Sequence, residues 1–168
     1  MMLDIANAEA KKPGRKLLIW AGSGWPLLDS PRIQTSNEGQ QQSFDVIVQL
    51  STRLREARIS AYSISAGMPV LGTYLYKEFL KGVPAAQKAS VSNLGLKVLV
   101  VQSGGDVVGP DNDLTAQINR CVHDAGVYYT LSFDPPHAAH ANEYHDLKVQ
   151  VAKPGLTART NTGYYNQP

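Results

Sequence analysis

The chain has 168 residues and a mass of 18.2 kDa, with 43% hydrophobic and 18% charged residues. These proportions fit one globular domain and exclude a disordered tail, a collagen-like chain and a coiled coil. Sixteen Lys and Arg against fourteen Asp and Glu leave +2 without a run of like charge, so electrostatics gives no footprint for nucleic acid or an anionic membrane.

Met1 to Arg15 carries Asp4, Glu9, Lys11 and Lys12 and has no apolar stretch of signal-peptide length. No window approaches the roughly 18 apolar residues of a membrane span. The expectation is a soluble chain with no membrane span and no export address. A lone cysteine, Cys121, excludes an internal disulfide and a thiolate zinc cluster.

The first clear element is the continuous apolar run Lys16 to Ala21, which suits a parallel strand covered on both faces. It stops at Gly22-Ser23-Gly24-Trp25-Pro26. Thr35 and Glu38 have capping-box spacing, but Gly39 weakens an early start, and the helix is expected from Ser43 onward. There Phe44, Ile47, Leu50, Leu54 and Ala57 recur at three- and four-residue steps, one stripe to be laid on a sheet. Ile59 to Ile64 follows as a second strand, with Ile59, Ala61 and Ser63 on one face and Ser60, Tyr62 and Ile64 on the other. Strand, helix, strand is the pattern of a parallel pair.

Thr73 to Leu80 reads as a short helix and Val83 to Asn93 as a covering loop. Leu94 to Gln102 is ambiguous, because Val98-Leu99-Val100-Val101 has strand composition while Leu94, Val98 and Val101 have helical spacing. Beyond Ser103-Gly104-Gly105, Asp111 or Asn112 can cap a helix with a buried stripe of Leu114, Ile118, Cys121, Val122 and Ala125. Cys121 is then a small core residue. Val127 to Phe133 reads as a third strand, ended by Asp134-Pro135-Pro136. Tyr144 to Ala152 and Leu156 to Gly163 read as a hairpin across Lys153-Pro154-Gly155, whose Pro-Gly centre suits a type II turn.

Several phrases in this order resemble a known family. Pro13 to Trp20 leading to Gly24-Trp25-Pro26, then Leu54 to Ile59 entering Tyr62-Ser63-Ile64, is similar to the fourth and fifth strands of von Willebrand factor type A domains, above all the bacterial, acidobacterial VWFA-related group. Gln102-Ser103-Gly104-Gly105, Asn112-Asp113-Leu114, Tyr128 to Pro136, Tyr144 to Val149 and Arg159 to Tyr165 extend the likeness over about Pro13 to Tyr165. The resemblance implies a doubly wound, Rossmann-like sheet, a helix over Val91 to Ser103, an adhesion-type interaction role, and export to the periplasm or beyond for longer members. It also implies a metal-ion-dependent adhesion site built on an Asp-x-Ser-x-Ser loop, a distant Thr and an Asp after the fourth strand. This chain has no Asp-x-Ser-x-Ser, and Ala21-Gly22-Ser23-Gly24 stands where that Asp should be. The family's first three strands have no counterpart, so the chain reads as the second half of the domain, with residues 13–133 as its α/β part and 134–168 as its terminal hairpin.

Other chemistry was weighed residue by residue. Gly22-Ser23-Gly24 lacks the third dinucleotide glycine, since Leu27 stands there, and Trp25-Pro26 blocks phosphate approach. Ser63-Ile64-Ser65-Ala66-Gly67 is similar to a nucleophile elbow, and Ser65, Asp134 and His145 have hydrolase order, but Gly67-Met68-Pro69 is a poor helix start. His137, His140 and His145 with Glu143 form the only metal-like group, on what reads as a solvated connection. Trp25 and the pairs Tyr128-Tyr129 and Tyr164-Tyr165 are read as core rings, one inward and one outward in each pair.

The expectation is a partial doubly wound α/β sheet with crossover helices and a C-terminal antiparallel hairpin. Its expected role is a metal-independent protein-interaction module without a cofactor, the alternative being a small-molecule hydrolase using Ser65 and His145. The expected binding rim, beyond the carboxyl ends of the strands, is Ser23, Trp25, Asp29, Ser65 and Met68. With no first strand beside it, Lys16 to Ala21 is expected to lie at an open edge that recruits a protein partner or a second copy.

Overall fold

The computed structural model describes residues 1–22, 36–64, 74–109 and 112–168. Strand β1, Lys16–Ala21, pairs in parallel with β2, Ile59–Ile64, in the register Lys16↔Ile59 through Ala21↔Ile64. Between them α2, Asn37–Glu56, makes the crossover. This helix starts six residues before Ser43, because Ser36, rather than Thr35, caps it by accepting the Gly39 amide at 3.2 Å. Phe44, Ile47, Leu50, Leu54 and Ala57 are all buried, as their spacing predicts. An N-terminal helix, α1, Met2–Ala10, lays Met2 and Ala6 against Leu50, Leu54 and Leu99.

Short helix α3 spans Tyr74–Phe79. The loop after it does cover something: Val83 and Ala89 are buried against Phe44, Ile47 and Val48 of α2. Residues Val91–Leu94 form one 3₁₀ turn and Leu96–Gln102 form α4. Helical spacing thus overrides strand composition here, since the helix fully buries Val98 and Val100, Val100 against Ala61 of β2. The turn after α4 brings the chain back as β3, Val107–Val108, which pairs in parallel with the end of β2. The sheet order is β1-β2-β3. Helix α5, Leu114–Gly126, follows, capped by Asp113 rather than Asp111 or Asn112; the Asp113 carboxylate accepts the Ala116 amide at 2.9 Å.

Helices cover both faces of this sheet. Tyr62, Ile64, Leu17 and Ile19 meet Cys121 of α5 on one side, while Ala61, Leu18 and Trp20 meet Leu96 and Val100 of α4 on the other. All six residues of β2 are buried, whereas β1 is only half-buried throughout and exposed at Ala21. The two-sided apolar reading of Lys16 to Ala21 therefore holds, and the exposure comes from its place at the end of the sheet.

Three expectations are corrected. Val127 to Phe133 is not a strand: it is exposed and paired with no described strand, while β3 and the Ser103 turn take the side of β2 from Ala61 to Ile64. In α5, Leu114, Ile118 and Val122 are exposed while Gln117 and Cys121 are buried, since the helix meets the sheet along that second line of residues. The terminal hairpin is shorter than expected. It pairs β4, Glu143–Asp146, with β5, Gly163–Asn166, antiparallel, and leaves Tyr144 to Ala152 and Leu156 to Gly163 mostly unpaired. The Pro-Gly turn itself forms, with Gly155 at φ +79° and the Leu156 amide reaching the Lys153 carbonyl at 3.4 Å. Pairing instead gathers where rings can be buried. Tyr165 enters the α2 cluster with Tyr144, while Tyr164 stacks on His145, so both tyrosines of that pair are buried and both Tyr128 and Tyr129 are exposed.

Candidate functional site

The expected rim residues Ser23, Trp25, Asp29, Ser65 and Met68 all lie outside the described residues. The described residues just before them meet at the carboxyl ends of β1 and β2, where the Gly22 amide donates to the Ile64 carbonyl at 3.0 Å.

The edge of β1 is the next candidate. The Lys16 and Gly22 amides donate inward to Arg58 and Ile64, at 2.9 and 3.0 Å. Backbone groups alternate sides along a strand, so the N–H and C=O groups of Leu17, Ile19 and Ala21 face away from β2, and no described strand takes them up. No proline or bulge interrupts the run. Such an edge is a template for a further strand.

A polar cluster lies under α5 that no sequence motif announces. Tyr62 donates to the Asp124 carboxylate, Arg159 pairs with both Asp124 and Asp106, and Asp106 accepts the Val107 amide at 2.9 Å. Burial pushes the Tyr62 phenol up, with Arg159 and Arg15 opposing. Nearby, Arg15 donates to Ser60 Oγ and to the Ala125 carbonyl at 3.0 Å each. These contacts join positions far apart in sequence, which is why spacing did not reveal them. They tie the chain at Arg159, the start of β3 and the end of α5 together, and the Arg159 guanidinium bridges the two carboxylates where a cation would sit. Magnesium or manganese titrated into the protein should therefore show no binding at sub-millimolar concentration by calorimetry; a tight single-site isotherm lost on changing Asp106 would overturn this.

The histidines do not converge. His145 stacks on Tyr164 with ring centroids 5.1 Å apart, and its Nε2 lies 3.3 Å from Glu143 without hydrogen-bond geometry. Glu143 accepts the Ala139 amide, which holds its carboxyl below the usual range, with His145 adding to the effect. His140 Nδ1 meets the Ala141 carbonyl at 3.1 Å. Among the described residues no three His, Cys, Asp or Glu side chains are placed to hold a metal. Burial pushes the Cys121 thiol up.

An open cleft of about 370 Å³ near the start of β1 is lined by Lys11, Lys12, Lys16 and Arg58 together with Glu56. Two helices end there, α1 at Ala10 and α2 at Glu56. Their carbonyl ends carry partial negative charge that these cations offset, and Lys16 also donates to the Lys12 carbonyl just past the end of α1 at 2.5 Å. Helix complementation accounts for that cleft better than an anion site. No described helix is long and apolar enough to cross a membrane. No family model, curated protein or solved structure matches the chain.

Proposed function

We propose that this chain is a metal-independent protein-interaction module of the VWFA-related kind, and that it works by strand addition at the open edge of β1. The observation that carries the reading is the contrast within one strand. Leu17, Leu18, Ile19 and Trp20 are packed on both faces as in an internal strand, yet the outward backbone of Leu17, Ile19 and Ala21 has no described strand beside it. Main-chain hydrogen bonds would supply affinity for an extended segment, and alternate side chains would supply selectivity. Ser23, Trp25, Asp29, Ser65 and Met68 follow the carboxyl ends of the same strands in sequence and are assigned the rim of that surface.

The test needs no known partner. Peptides selected from a random heptapeptide library should slow hydrogen exchange at the Leu17, Ile19 and Ala21 amides, and Ile19→Lys should abolish their binding. Because Ile19 is only half-buried, that variant should stay folded at a cost of about 1–2 kcal/mol, the long lysine stem reaching solvent at the edge. Selected peptides that bind without protecting those amides, or equally well to Ile19→Lys, would refute the reading.

A further inference from the structure

The edge of β1 is one unmet half of a sheet, and the same chain carries another. Val127 to Phe133 has the composition of a strand, Val-Tyr-Tyr-Thr-Leu-Ser-Phe, and follows α5 outside any helix or strand, with extended backbone angles at Val127 itself. Among the described residues the backbone of Tyr128 to Phe133 has no hydrogen-bond partner. Two ring contacts hold it at its ends: Arg15 lies over the Tyr128 ring, 5.3 Å from its centroid, and Phe133 meets Tyr164 edge-on at 5.6 Å. Val127, Tyr129 and Leu131 are 74, 90 and 72% exposed. A run of large apolar side chains at such exposure marks an interaction surface.

We infer that the occupant of the β1 edge is the Val127 to Phe133 segment of a second copy of this chain, exchanged reciprocally so that each copy both gives a strand and receives one. This rests on the reading of β1 as the interaction edge and names the partner that fits it. The lengths agree, since the seven residues of the segment can span the six of β1. The two are complementary in kind, one lacking a strand and the other lacking a sheet. The area is also sufficient. At roughly 200 Å² per aromatic side chain, Tyr128, Tyr129 and Phe133 at 55, 90 and 56% exposure leave about 400 Å² uncovered. Val127 and Leu131, with the exposed Leu114, Ile118 and Val122 of α5, bring the total toward the ~800 Å² that each partner gives to a stable complex. Within one chain β3 pairs with Ser63 and Ile64 and Ser103 Oγ takes the Ala61 amide, so that side of β2 is occupied from Ala61 to Ile64, whereas two chains leave each segment a free edge.

Hydrogen exchange on the full-length protein as a function of its concentration tests this directly. Raising the concentration from about 1 to about 100 μM, a range that brackets ordinary dimer affinities, should slow the amides of Leu17, Ile19 and Ala21 and those of Tyr129 to Ser132 together, as the sedimenting mass doubles. Leu131→Pro, at an exposed site, should give a folded monomer with unchanged thermal unfolding. Ile19→Lys should also be monomeric, and mixing the two variants should restore a one-to-one pair, because one still receives a strand and the other still gives one. If Ile19→Lys does not fold, Ala21→Pro, which removes an outward amide at an exposed position, takes its place. Protection of β1 alone, with Leu131→Pro still dimeric, would show edge-to-edge pairing of two β1 strands and overturn the exchange. A wild-type chain that stays monomeric at about 100 μM would also overturn it, while selected peptides protecting β1 would leave the interaction reading standing.

Discussion

Gly105→Ala should leave little or no folded protein. The turn after α4 is pressed onto the backbone of β2: Ser103 Oγ accepts the Ala61 amide at 2.9 Å and donates to the Val100 carbonyl at 2.8 Å, and the Gly105 amide reaches the same carbonyl at 3.1 Å. A Cβ at Gly105 would overlap the Ala61 carbonyl oxygen and carbon. Both are backbone atoms of the central strand, so no rotamer change relieves the clash. Either the turn lifts, breaking the Ser103 bonds and releasing β3 behind it, or β2 bends. A loss above ~4 kcal/mol is expected, against a typical total of about 5–15 kcal/mol. Chemical denaturation followed by circular dichroism measures it. Gly109→Ala, with open space around its Cβ, is the matched control and should stay within about 0.5 kcal/mol of the parent. Equal midpoints for the two variants would show that the turn does not sit on β2.

Tyr165→Ala should cost about 3–5 kcal/mol, the range for emptying a buried aromatic site. This ring is what fastens the terminal hairpin to α2. It meets Phe44 edge-on at 6.0 Å and Tyr144 at 5.2 Å, and its hydroxyl donates to the Val83 carbonyl at 3.0 Å. Tyr165→Phe keeps the packing and removes only that bond, so about 1 kcal/mol is expected. Losing the ring should also free β4 and β5, visible as faster exchange at His145 and Leu147, whose amides face β5. The pH dependence has a definite sign. Burial pushes the phenol pKa values of Tyr62, Tyr76 and Tyr165 up, and that of Tyr144 up to about 12. A phenol whose folded pKa is raised contributes stability that is whole below its unfolded value of 10.0 and is lost as the pH climbs through the folded value. Alkaline unfolding should therefore begin above pH 10 and shift least in Tyr165→Phe, which removes one of the titrating groups.

The α/β core was legible because its signals were long. Six apolar residues, a twenty-residue amphipathic helix and a second alternating run leave little choice of element or order. The errors arose from the shortest strand. Val107–Val108 is too brief to show a period of two, yet it is the third strand of the sheet, the place expected for Val127 to Phe133. That one displacement leaves an aromatic segment in solvent. The stripe of α5 failed for a related reason: two lines of residues at helical spacing run side by side, and Gln117, not Leu114 or Ile118, shares the buried line with Cys121. The hairpin was placed by its turn, which formed, but pairing followed the tyrosines that could be buried. The Arg159 cluster joins residues 106, 124 and 159 through the fold alone.

Cys121 has a use that follows from its solitude. It is the one thiol in the chain, and it lies fully enclosed between α5 and the Tyr62 and Ile64 side chains. A soluble disulfide reagent can reach it only when α5 lifts from the sheet. The labelling rate, compared with that of an unfolded control, therefore reports the free energy of that single opening under native conditions. The parent protein carries its own gauge of how firmly the last helix is seated, at the point where the chain turns out toward Val127.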